Sequence, residues 1–177
     1  MRLIEFISEA SVPTYLAKSR APLYHATSTI YFYDIIKSGK IDIRSYDKSV
    51  SLTRNPNLWY GENETGGADF QFQINADSLR TTHKLVPYDY FSDKDLSTFK
   101  RSESEEITNK VIPINKKYIN KVLINKRYLE SIKNYGEENV DELTREIYLA
   151  IQLLNNKYHI PVEYVTKIID PTYKDKN

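Results

Sequence analysis

Two short segments in which apolar and polar residues alternate decide which class of fold this sequence can adopt. Residues 49–53 read SVSLT and residues 68–74 read ADFQFQI. Because successive side chains of a β-strand point to opposite faces, this period of two predicts strands with one buried face. The intervening residues, 55–67, are polar and include Pro56 and three glycines. We therefore predict a loop of about a dozen residues, a length at which loops are usually either functional or disordered.

The remaining periodic segments add further strands and two helices. Residues 27–38 have apolar side chains at helical spacing and are followed by Gly39, a typical helix stop. Residues 141–157 give the clearest helix, with Asp141 near its start. Further strands are predicted at residues 23–26, 84–88, 107–114 and 121–124. Short strands with one helix early and one late predict an α+β fold in a single domain at residues 23–173.

Composition and charge limit the classes of function. The chain has 177 residues, 40% of them hydrophobic, which is enough for one domain with a core. Because 25 basic and 24 acidic residues leave a net charge of +1, nucleic acid is not expected as the main partner. The absence of cysteine excludes a thiolate nucleophile and sulfur-ligated zinc. No apolar run is long enough to cross a membrane, so we expect no membrane association. His25, His83 and His159 share no ligand spacing, so we also expect no metal.

The first eleven residues, MRLIEFISEAS, form a short segment with an apolar side. Apolar residues at positions 3, 4, 6 and 7 supply that side. Ser8 and Ala10 flank Glu9 with small side chains, as a protease groove requires. The pattern predicts cleavage between Glu9 and Ala10, and an ordinary amphipathic N-terminal helix is the alternative.

This segment resembles the capsid-targeting leader of internal proteins of T-even-type myoviruses, which ends in an apolar residue, any residue and Glu before Ala. Here those residues are Ile7, Ser8, Glu9 and Ala10. The resemblance implies a cleavable leader at residues 1–9, packaging with the phage scaffold and trimming by the prohead protease. It places the protein in the virion interior (the phage head) and, after injection, in the host cytoplasm. Residues 10–22 then form a linker, and 174–177 a flexible tail.

Three separated motifs carry the residues suited to chemistry, and each of them has an ordinary structural alternative. In YHATS, residues 24–28, His25 ends a predicted strand where Ala26 leaves room for a flat ligand. A buried histidine bonded to a loop carbonyl fits the same pattern. In SLTR, residues 51–54, both hydroxyl side chains share one strand face, as they do in any half-exposed strand.

The third motif, ESEEI at residues 103–107, concentrates carboxylates where a late strand begins. Several carboxylates at the mouth of a sheet raise the free energy unless a cation or a cationic transition state binds there. A solvated acidic loop end is the alternative.

In this order, the three motifs resemble the ADP-ribosyltransferase superfamily over residues 23–125. The resemblance implies a split, mostly antiparallel β-sheet sandwich with flanking helices, and NAD as co-substrate in the cleft between the sheets. Family members carry a histidine or arginine on the first core strand, a Tyr or Ser-x-Ser/Thr element on the second, and a glutamate on a late strand. This chain mixes two branches of the family: its middle motif lacks the aromatic residue of the His-Tyr-Glu branch, and its first motif has histidine rather than the arginine of the Arg-Ser-Glu branch.

The resemblance also implies roles for individual residues in binding NAD. His25 would hold ribose hydroxyls while the backbone at Ala26 meets the nicotinamide amide. Arg54, or Arg44, would face the diphosphate. Ser51 and Thr53 would line the nicotinamide pocket. The NAD-binding set is His25, Ala26, Thr27, Ser51, Thr53 and Arg54. Aromatic residues that could stack on the nicotinamide or adenine ring are Tyr31, Tyr33, Trp59, Tyr60 and Phe70.

The glutamates would supply the catalytic carboxylate. Breaking the bond between nicotinamide and ribose builds positive charge on the ribose, which a nearby carboxylate stabilises. By resemblance Glu105 is the first choice, Glu106 is the alternative, and Glu103 would guide the acceptor.

Together the motifs indicate an injected, NAD-dependent mono-ADP-ribosyltransferase that modifies a host macromolecule, protein rather than nucleic acid. A non-catalytic injected inhibitor of a host defence enzyme, built on the same fold, is the alternative from another class. Transfer of a 2′-phosphate from RNA to NAD is a further enzymatic alternative, which the near-neutral charge disfavours.

Overall fold

The computed structural model describes residues 22–43, 48–54, 69–87, 105–126 and 137–165. The leader, the Glu9–Ala10 bond, the linker up to residue 21, Arg44, the loop containing Trp59 and Tyr60, Glu103 and the tail lie outside these residues. The strands are β1 Leu23–Thr27, β2 Lys40–Ile41, β3 Val50–Thr53, β4 Phe70–Ile74, β5 Val86–Pro87, β6 Glu105–Thr108, β7 Ile112–Pro113, β8 Ile119–Asn125 and β9 Val162–Val165. The helices are α1 Thr29–Ser38, α2 Ala76–Arg80 and α3 Glu137–Leu153, which continues into a π-helical turn, Leu154–Tyr158.

Most of the strands form one seven-stranded sheet in the order β5-β6-β3-β1-β4-β8-β9. Neighbouring strands are antiparallel except β8 and β9, which run parallel. Parallel neighbouring strands need a long crossover connection. In this protein the connection between β8 and β9 contains α3. Strands β2 and β7 pair as a separate two-stranded sheet. The predicted α+β class with a mostly antiparallel sheet and flanking helices is confirmed.

The main hydrophobic core lies on one face of the large sheet. Phe72 of β4 and Leu52 of β3 pack there with Phe32 of α1. The rings of Phe32 and Phe70 stack with centroids 3.8 Å apart, so Phe70, which we expected to be a possible stacking partner for NAD, is a core residue with no exposed surface. Burying a side chain of this size stabilises the fold by about 1.5–3 kcal/mol. A small second cluster on the opposite face joins Tyr24 and Leu123.

Tertiary pairing moves several predicted boundaries. Residues 107–114 are not one strand: Ile107 pairs with β3 in the large sheet, whereas Ile112 pairs with Ile41 in the small sheet. Thr27 is the last residue of β1 rather than the start of α1, because it pairs with Phe70. The late helix begins four residues earlier than Asp141, at Glu137, and its last predicted turn is π-helical. Strands β2 and β9 and helix α2 were not predicted from the sequence.

Gly39 ends α1 in a conformation that the surrounding structure requires. Its φ is 75°, in the left-handed region that favours glycine, and its N–H donates to the carbonyl oxygens of Ile35 and Ile36. The Tyr158 hydroxyl also donates to the Ile36 carbonyl, at 3.0 Å. A Cβ atom added to Gly39 would lie 2.9 Å from that hydroxyl oxygen. The π-helical turn therefore fixes where α1 ends.

We expect Gly39→Ala to lower the free energy of unfolding by at least about 1–2 kcal/mol, because alanine resists positive φ. Urea unfolding measures this loss. In a Tyr158→Phe background the same substitution should cost less, since the crowding hydroxyl is gone. Equal costs in the two backgrounds would show that the hydroxyl contact does not constrain this position.

Candidate active site

Strand β1 pairs to a different extent with its two neighbours, β4 and β3. It pairs with β4 over its whole length, from Leu23 opposite Ile74 to Thr27 opposite Phe70. With β3, the described register contains a single pair, Tyr24 opposite Thr53. The two halves of the sheet thus begin to separate after Tyr24, the first residue of the YHATS motif.

His25 bridges the strands where they separate. Its Nδ1 lies 2.9 Å from the Ser51 carbonyl oxygen. Because a carbonyl oxygen can only accept, Nδ1 is the donor of this hydrogen bond, and in a neutral imidazole Nε2 would then be an acceptor. The imidazole is half-buried, 6.2 Å from the Phe72 ring between centroids and tilted against it. The ring is consequently oriented by a backbone contact on one side and an aromatic neighbour on the other.

Glu106 lies on the same face of the sheet as His25. His25 is opposite Phe72, which belongs to the main core together with Leu52. Leu52 is opposite Glu106 across β3 and β6. Directly opposed residues of antiparallel strands share a face. The first and third sequence motifs therefore converge on the core face, with Leu52 between them.

A buried ion pair joins Glu106 to Arg54. The Arg54 Nε donates to Glu106 Oε1, and the two side chains are each only 4% exposed. Arg80, at the end of α2, approaches from a more exposed position, with its Nη2 3.9 Å from Glu106 Oε2. One carboxylate thus faces two guanidinium groups, one buried and one partly exposed.

The other residues of the SLTR motif lie on the opposite face. Ser51 is opposite Ile107 and Thr53 is opposite Glu105 in the β3–β6 register, alternating with Leu52 opposite Glu106. Thr53 is buried there. The structure brings His25, Arg54 and Glu106 to one face and does not bring Ser51 or Thr53 to it. Their part in a nicotinamide pocket stays a prediction.

Two residues near this site, Asp69 and Arg80, were missed by the sequence analysis. Asp69 is buried, and its Oδ2 accepts from the backbone N–H and the hydroxyl of Thr29 at 3.0 and 2.7 Å. It caps α1 from a position 40 residues away in the chain, whereas Ser28, at the N-cap position itself, makes no side-chain cap bond. A serine before a helix normally indicates a local cap. The sequence therefore gives no sign that the cap of α1 comes from a distant residue.

Within the described ranges, no helix is long and apolar enough to span a membrane, and no group of three or more potential metal ligands is found.

The arrangement of strands and helices is the ADP-ribosyltransferase fold. Among solved structures, the chain is similar to DarT of Thermus sp. 2.9, which was solved in complex with carba-NAD+. The two align with a TM-score of 0.52 and 12% sequence identity, over 84% of this chain and 97% of the DarT chain. No family model matches the sequence, and no curated protein matches it. The fold expected from the three motifs is confirmed.

The burial of the Arg54–Glu106 pair predicts a large cost for breaking it. Arg54→Met leaves the Glu106 carboxylate buried without its nearest cation, and we expect a loss of about 3–5 kcal/mol in the free energy of unfolding. Lys121→Met is the matched control, because Lys121 pairs with Glu163 at 2.6 Å on the surface and should cost about 0–1 kcal/mol. Similar losses for both variants in urea unfolding would contradict this account of the buried pair.

Proposed function

We propose that this protein is an NAD-dependent mono-ADP-ribosyltransferase that modifies a host macromolecule, more specifically a protein. The observation that carries the proposal is the placement of His25, Arg54 and Glu106 on one face, where β1 separates from β3. Support also comes from the fold shared with a protein that binds an NAD analogue. The near-neutral charge supports a protein acceptor over a nucleic acid.

In the proposed reaction, the bond between the nicotinamide nitrogen and ribose C1′ breaks, and nicotinamide leaves neutral with the electron pair. The ribose becomes cationic, and a carboxylate about 3 Å from its 2′-hydroxyl stabilises that charge. The acceptor then donates an electron pair to C1′ and loses a proton. We assign the carboxylate to Glu106 rather than Glu105, because Glu106 shares the face of His25.

His25 and Ala26 would orient the nicotinamide end of NAD. With its proton on Nδ1, the imidazole can accept a hydrogen bond from a ribose hydroxyl at Nε2. The backbone of Ala26 lies on the side of β1 from which β3 has begun to separate, the position in which it would meet the nicotinamide amide. Thr27 completes this NAD-binding turn.

Arg54 would have two tasks. It holds the carboxylate of Glu106 in place, and its positive charge would favour binding of the NAD diphosphate group. The same ion pair is the observation that favours the second candidate, a non-catalytic inhibitor on this fold, because a carboxylate already engaged by arginine can be purely structural. The NAD-cleavage test below decides between the two.

We also propose that the protein is packaged in a phage head and injected into the host. This part rests on residues 1–10 alone, with their apolar side and the Ile7-Ser8-Glu9 motif before Ala10. The scaffold and the prohead protease would be its partners during assembly, and the host target its partner after injection.

Neighbouring glutamates give a matched test of the catalytic assignment. We expect Glu106→Gln to lower the rate of NAD cleavage by about 10²–10³-fold, the effect of losing one transition-state charge contact, whereas Glu105→Gln keeps most of the activity. Labelled NAD with a host extract measures transfer, and nicotinamide release measures cleavage; circular dichroism verifies folding. Loss of activity in Glu105→Gln alone would overturn the choice of Glu106, and a wild type that neither transfers label nor releases nicotinamide would favour the inhibitor.

Co-expression with a prohead protease tests the leader. The expected product begins at Ala10, as read by N-terminal sequencing, and Glu9→Ala should remain uncut because the residue before the cleavage site is changed. An intact N-terminus in the wild type would contradict packaging by this route.

A further inference from the structure

The turn between β1 and α1 is held by a residue outside the three motifs. Asp69 precedes β4, and its side chain is bonded to Thr29, the first residue of α1. Its own backbone N–H donates to the Thr27 carbonyl at 3.0 Å, and its carbonyl accepts from the Asn125 N–H at 3.0 Å. One residue therefore joins the end of β1, the start of α1 and the end of β8.

This set of bonds leaves the turn little freedom. Only Ser28 separates β1 from α1, and Asp69 bonds to the residue on each side of it. Asp69 is only 2% exposed, and a buried carboxylate is tolerated when it is hydrogen-bonded. Its negative charge also lies at the positive end of the α1 dipole, which favours this position.

We propose that Asp69 is a positioning residue for NAD: through Thr27 and Thr29 it fixes the backbone of the β1–α1 turn on which the nicotinamide end of NAD rests. The inference rests on the proposed function, since it assigns to Asp69 the geometry of Ala26 and Thr27 in that site. His25, two residues before Thr27, is held separately by the Ser51 carbonyl. Loss of Asp69 would displace the turn while leaving this histidine contact in place. NAD binding should therefore weaken more than the rate of the chemical step falls.

Thr29→Val and Asp69→Ala test the inference from both ends of the same bonds, because alanine has no side-chain acceptor. Thr29→Val removes the hydroxyl donor and keeps the N–H, and Thr29→Ser restores the hydroxyl. The control is Asn75→Ala: Asn75 lies at the other end of β4, where its side chain accepts from the Ser78 N–H at 2.9 Å and caps α2. All variants are compared for the KM and kcat of NAD cleavage, for binding of carba-NAD+ by calorimetry, and for thermal stability.

We expect the KM for NAD and the Kd for carba-NAD+ to rise about tenfold in Thr29→Val and Asp69→Ala, because small misplacements of a binding group are costly. The change in kcat should be smaller. Thr29→Ser should bind as the wild type does. Asn75→Ala should lower the melting temperature without changing KM.

Unchanged binding in folded Thr29→Val, or an equal rise in KM for Asn75→Ala, would overturn the positioning role and leave the proposed function standing. A wild type that binds no carba-NAD+ would overturn both.

Discussion

The pairing of β1 with its two neighbours determines where the sheet can open to a ligand. This strand is bonded to β4 along five residue pairs but to β3 in register at only one. The β4 side anchors the strand to the main core, where Leu23 and Phe72 are fully buried. The β3 side parts just where the chain places a histidine. An antiparallel ladder that continued in register here would hold the two halves of the sheet together and would leave no cleft for a ligand between them.

The charged cluster on the core face is tied to the same arrangement. Arg54 directly follows β3, and Glu106 lies in β6, so their ion pair joins two strands on one side of the separation. Taking two charges out of water costs several kcal/mol per ion, and their attraction and hydrogen bonding offset it. A buried pair at this position is weak evidence for stability, but it holds a carboxylate in place on the face of the sheet that His25 shares. The hydrogen bonds of Asp69 hold another part of the same region, the β1–α1 turn.

The sequence predicts local structure well and long-range register poorly, for identifiable reasons. Alternation in SVSLT and ADFQFQI predicts β3 and β4, and Gly39 marks the end of α1, because these signals act within a few residues. The run at 107–114 looks like one strand, since apolarity does not reveal that its partner changes from β3 to β2. The same limit affects the site. Glu105 and Glu106 are adjacent in the chain and therefore lie on opposite faces of the sheet. Only the observed pairing of Leu52 with Glu106 shows which of the two lies on the core face.

A crystal structure of the protein with carba-NAD+ would locate the ligand relative to the two faces of the sheet. We expect the nicotinamide ribose to lie within hydrogen-bonding distance of the His25 Nε2 and of a Glu106 oxygen, with the nicotinamide amide against the backbone of Ala26. An analogue bound instead on the face of Ser51 and Thr53, or away from β1, would contradict the assignment of the site to the core face.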